Sequence, residues 1–80
     1  MKKGQLCKKR INIIFGSRIA TLRKARCMTQ EELAYTCDIN RTYMGCIERG
    51  EKSPTLDTIQ KIANGLGISM RQLFEDEIFQ

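Results

Sequence analysis

The stretch from Met28 to Gly50, MTQEELAYTCDINRTYMGCIERG, limits what this chain can fold into more than any other, because it encodes two short helices separated by a corner at Cys37 to Ile39. Thr29 is placed to cap the first helix with its hydroxyl while Glu32, three residues on, reaches back to the cap amide. Met28 and Leu33 then occupy the two positions that staple a helix start. The spacing predicts a helix through Glu31, Leu33 and Ala34 that stops near Cys37, since Asp38 is one of the few non-glycine residues that tolerates a left-handed turn. Asn40 is a strong cap for the next helix. From it, Tyr43, Met44 and Ile47 fall on one face, and Arg41, Thr42, Gly45, Cys46 and Arg49 on the other. Gly50 ends this second helix after about three turns.

A helix pair of this kind, with Arg, Thr and small residues on the outer face of its second member, is the pattern of a helix-turn-helix that enters the DNA major groove. The small residues Gly45 and Cys46 are expected to let the backbone approach base edges. An ordinary helical hairpin inside a bundle has the same spacing, so spacing alone leaves both readings open.

With 80 residues, 41% of them hydrophobic, the chain suits one small domain whose core is marginal unless helices pack well or two copies associate. The net charge is +5 and the pI about 9.3. Residues 1–26 carry Lys2, Lys3, Lys8, Lys9, Arg10, Arg18, Arg23, Lys24 and Arg26 and no acid, whereas Glu75, Asp76 and Glu77 make the other end acidic. A basic end favours an anionic partner, although a basic run is also an ordinary solvated face. Cys7, Cys27, Cys37 and Cys46 form no CxxC pair and the chain has no histidine, so no metal site is expected and the cysteines suit a reducing cytoplasm. Neither the start MKKGQLCKKR nor the apolar run Ile11 to Phe15 reads as a signal sequence or membrane span. No catalytic residue and no cofactor is expected, because no nucleophile with a base and no glycine-rich phosphate loop is visible.

Taken in order, residues 1–8 read as a basic flexible tail and residues 9–80 as a single all-α domain of five helices. Ile11, Ile14, Phe15, Ile19, Leu22 and Ala25 predict a long first helix, weakened in the middle by Gly16 and ending near Arg26 or Cys27, where glycine would be preferred. Pro54 and Thr55 open a fourth helix with the stripe Leu56, Ile59, Ile62, Ala63 and Leu66, closed by Gly65 and Gly67 with Ile68 folding back. Ser69 caps a short fifth helix carrying Met70, Leu73, Phe74, Ile78 and Phe79. That is more apolar surface than a chain end needs, so Leu73, Phe74, Ile78 and Phe79 are the expected homodimer interface, with Leu73 and part of Phe74 the most inclined to pack internally instead.

The stretch FGSRIATLRKARCMTQEELAYTCDINRTYMGCIERGEKSPTLDTIQKIANGLGISMRQLF, residues 15–74, resembles the five-helix domain of lambda-type phage repressors and Xre-family regulators. The shared parts are LR at 22–23, TQEELA at 29–34, IERGEKSPTLDT at 47–58 and LGIS at 66–69. RTY at 41–43 followed by GCIERGE is similar to the small controller proteins of restriction-modification systems. The resemblance implies a lambda-repressor-like fold and a sequence-specific regulator that binds a roughly palindromic double-stranded DNA operator as a homodimer, with RNA polymerase a further candidate partner. It implies that Arg41, Thr42 and Cys46 reach base edges, that Gln30, Tyr43, Arg49 and Lys52 meet the DNA backbone, and that Arg23 and Glu48 form an internal salt bridge. Asp38 stands where relatives often have glycine, and Cys46 where many have a longer polar reader. An antitoxin-like protein-interaction module on the same fold is the alternative.

Overall fold

Every helix but the first starts at a side-chain cap supplied by the residue before it. The structure, a computed structural model, describes residues 9–79; the tail expected over residues 1–8 and the side chain of Ile78 lie outside the described residues. Its elements are α1 (Arg10–Ala25), α2 (Gln30–Cys37), α3 (Arg41–Glu48), α4 (Leu56–Leu66), α5 (Met70–Leu73) and a 3-10 turn (Glu77–Phe79), with no strand among the described residues. Thr29 Oγ1 accepts the Glu32 amide at 3.0 Å while Glu32 Oε1 accepts the Thr29 amide at 2.8 Å. Ser69 and Gln72 repeat this box on α5, Asn40 Oδ1 takes the Tyr43 amide at 3.1 Å, and Thr55 caps α4. Each such cap is worth about 1 kcal/mol.

The first four helices stop at left-handed residues: Cys27 (φ 56°), Asp38 (φ 58°), Gly50 (φ 77°) and Gly67 (φ 73°). Two of these carry side chains. The strain at Cys27, roughly 1 kcal/mol, is the cost of turning sharply from α1 into α2 without glycine.

The core is built from Phe15, Ile19, Leu33, Ala34, Cys37, Met44, Ile47, Ile62, Ala63, Leu66 and Leu73, with α1 packed on α3, and α2 on both α3 and α4. Two glycines set the helix spacing. A Cβ at Gly16 would meet the Ile47 carbonyl and come within 2.6 Å of the Glu48 carbonyl oxygen. Gly16 is therefore the contact at which α1 and α3 touch, a correction to its reading as a mere weakness. Gly65 likewise lies directly against Cys37, bringing α4 onto α2.

Three expectations change. Ile11 (54% exposed) and Leu56 (76% exposed) fall outside the core because each lies in the first turn of its helix, and the buried stripes start later, at Phe15 and Ile62. The fifth helix is only four residues long. Arg18 explains its stop, donating Nε to the Leu73 carbonyl at 3.0 Å and Nη2 to the Gln72 carbonyl at 2.9 Å, where a continuing helix would place its own amides. Leu73 is fully buried, 0% exposed, so it closes the protomer's own core and has no surface for a dimer contact. Phe74 is half-buried between Phe15, stacked at 5.5 Å, and Phe79, edge-on at 5.1 Å.

Candidate nucleic-acid interface

Arginines on and just after α1 are spent on tying it to the other helices. Arg23 of α1 grips Glu48 of α3 with two parallel bonds, Nε to Oε2 at 2.8 Å and Nη2 to Oε1 at 3.0 Å, and donates Nη1 to the Met28 carbonyl at 2.8 Å. Their side chains are 12% and 5% exposed, so this is a desolvated, bidentate pair. The Glu48 hydrogen bond raises the Arg23 pKa further above its ordinary value, outweighing the opposing effect of burial. Glu48 Oε1 also accepts Gln30 Nε2 at 3.0 Å. One carboxylate thus joins α1, α2 and α3 and fixes the angle at which α3 stands. Arg26 Nε takes the Leu66 carbonyl at 3.0 Å, closing the end of α4, and Arg18 pairs with Asp76 at 3.6 Å besides capping α5. Three of the basic residues counted near the start of the chain therefore have internal work, which a charge count does not reveal.

The outer side is different. Gln30, Arg41, Thr42, Gly45 and Arg49 line one shallow cleft of about 230 Å³ across the outer face of α3. Arg41 and Thr42 are exposed, and their side chains hold no hydrogen bond or ion pair among the described residues. The same is true of Lys52, in the loop after α3. Such free donors on a protruding helix are what base edges and phosphates require. Gln30 lies on the cleft with one amide N–H committed to Glu48. Tyr43 is half-buried and packs on the core. Cys46 is half-buried and does not line the cleft.

Arg49 departs from the sequence reading in its surroundings. Its Nε and Nη2 hold Glu51 at 2.9 and 3.2 Å, and Nη2 lies 3.7 Å from Cys46 Sγ. Its Nη1 lies 3.0 Å from the place a Cβ on Gly45 would take. The helix surface at Gly45 and Cys46, expected to be bare backbone, is covered by a guanidinium.

The sequence carries the same signature over most of its length, for residues 19–73 match the Helix-turn-helix family. The chain belongs to that family of transcriptional regulators. It is 39% identical over 66 residues to the control protein C.BamHI of Bacillus amyloliquefaciens, covering 81% of this chain and 82% of that protein. Its fold superposes on the restriction-modification controller protein C.AhdI from Aeromonas hydrophila with a TM-score of 0.80 at 38% identity, covering 82% of this chain and all of the other. The controller protein C.Esp1396I, solved as a tetramer in complex with its natural 35 base-pair operator, matches with a TM-score of 0.79 at 33% identity over 84% of this chain and 88% of that one. In this helix-turn-helix protein α2 and α3 are the paired helices, and Glu48 is the joint that ties both to α1.

Proposed function

We propose that this helix-turn-helix protein is a cytoplasmic, sequence-specific regulator that binds double-stranded DNA as a homodimer and controls transcription of a restriction-modification operon, with RNA polymerase as a second partner. The observation that carries the reading is the outer face of α3, where Arg41 and Thr42 stand unpartnered on a cleft while Arg23, Gln30 and Glu48 lock α3 to α1 and α2. Arg41 reads a base pair, since a guanidinium matches guanine O6 and N7 bidentately. Thr42 reads beside it, Gln30 and Tyr43 meet the backbone, and Lys52 neutralises a phosphate. The control-protein relatives support the operon assignment.

One α3 of eight residues spans only a few base pairs, too few to single out a site among genomic competitors, so two copies are needed. The apolar residues Phe74, Ile78 and Phe79, on either side of the acidic run Glu75 to Glu77, are the proposed contact between them. No helix among the described residues is long and apolar enough to cross a membrane. Selection of bound sequences from random duplex DNA tests the function: the expected product is a rough palindrome with half-sites centred about 10 base pairs, or a multiple of that, apart. Absence of any enriched motif would show that the protein does not read sequence.

A further inference from the structure

We propose that Arg49, the residue that caps the end of α3, reads a base, laid across Gly45 and aimed by Glu51, and is not a contact to the DNA backbone. The inference rests on the reading of α3 as the helix that meets DNA.

Helical side chains lean toward the helix start, so Arg49 runs back over the residues three and four before it, Cys46 and Gly45. The geometry bears this out, with Nη2 3.7 Å from Cys46 Sγ and Nη1 3.0 Å from where a residue-45 Cβ would be. The guanidinium consequently shares one cleft with Arg41 and Thr42 on the outer face. A methyl group at position 45 would press on Nη1 and approach Gln30 Oε1 at 3.5 Å. Glycine there keeps the place open for Arg49.

Glu51 decides what Arg49 can bind. A guanidinium has five N–H donors, of which Nε and one on Nη2 are held by the two carboxylate oxygens of Glu51 at 2.9 and 3.2 Å. Nη1 holds no hydrogen bond among the described residues, and Arg49 lines the cleft. An arginine already paired with a carboxylate is a poor ligand for a phosphate, because the phosphate meets Glu51 with like charge. A base edge bears no net charge and suffers no such repulsion. A guanidinium held at a fixed angle, presenting N–H groups beside Arg41, is suited to acceptors such as guanine O6 and N7. Gly45 and Glu51 are thus positioning residues, and Arg49 is the one that touches the base.

The test compares the wild type with Arg49→Lys, Arg49→Ala, Glu51→Gln and Gly45→Ala on the selected duplex and on every single base-pair change of it, with thermal unfolding of each protein alongside. Lysine keeps the charge that a phosphate needs and loses the fork that a base edge needs. The expected result for Arg49→Lys is binding to bulk DNA within about threefold of wild type, with discrimination at one base pair reduced about tenfold. Glu51→Gln and Gly45→Ala are expected to reduce discrimination at that same base pair with unfolding temperatures no lower than wild type. Full discrimination by Arg49→Lys at every position would overturn the proposal, as would an equal loss on all duplexes for Arg49→Ala. Both of those results leave the DNA reading intact, whereas a wild type that selects no motif overturns that reading and this inference with it.

Discussion

α1 and the outer face of α3 use the same residue type for opposite ends. On and just after α1, Arg18, Arg23 and Arg26 each donate to carbonyl or carboxylate oxygens of other elements, joining α1 to α5, α3 and α4. On the outer side, Arg41 has no partner among the described residues and Arg49 has only its near neighbours Glu51 and Cys46. A positive charge thus marks an interface only where the fold has not already consumed it. The inner network resists rotation of α3, and on the proposed function that rigidity is what would let the few donors of the outer face meet a base edge at a defined angle.

The largest effect expected from breaking this contrast is at Glu48. Glu48→Ala leaves Arg23 buried without its counter-charge and releases Gln30, and urea unfolding is expected to show a loss of about 3 to 5 kcal/mol. A double-mutant cycle with Arg23→Ala should give strong coupling, and no coupling would mean that the pair does not hold α3.

A second inner group sharpens the contrast through pH. Burial against α4 pushes the Cys37 thiol from 9.0 up to about 11, with the side chain only 3% exposed. The unfolded chain loses this proton first, so the thiol's contribution is intact below pH 9 and declines as pH rises through the window from 9 to 11. Two pKa units set a ceiling near 2.7 kcal/mol, so a decline of about 2 kcal/mol is expected in wild-type stability relative to Cys37→Ala over that window. Parallel pH profiles for the two proteins would exclude it.

The smallest effect belongs to the outer side. Lys52→Ala is expected to weaken binding to all duplexes alike, by less than about 1 kcal/mol at physiological salt, and to lower the salt slope by about one, with unfolding unchanged. A loss confined to one base pair would move Lys52 from the backbone to the base edges.

What was legible in the sequence was local. Thr29 with Glu32, Asn40, Thr55 and Ser69 mark helix starts through hydrogen bonds spanning three residues, and Asp38 and Gly50 mark stops, so a short window contains all the chemistry. The outward set Arg41, Thr42 and Arg49 followed from the same periodicity. The internal arginines were not legible in this way: Arg18 finds its carbonyls 55 and 54 residues away and Arg26 finds Leu66 at 40, and nothing near either residue announces the partner. Arg23 and Glu48, 25 residues apart, were named in advance only through the family resemblance. Gly16 misled for the same reason, since its value lies in α3 and not in its own helix. The break after Leu73 depends on Arg18 from the opposite end of the chain.

The division of labour between arginines is tested most directly by one paired measurement: unfolding in urea and affinity for matched and mismatched duplexes, for Arg23→Ala and Arg41→Ala side by side. Arg41→Ala is expected to unfold like wild type, to lose about 1 to 3 kcal/mol on the matched duplex, and to stop discriminating at one base pair. Arg23→Ala is expected to lose about 3 kcal/mol or more of stability. An Arg41→Ala protein that keeps full discrimination at every base pair, or an Arg23→Ala protein as stable as wild type, would contradict the account.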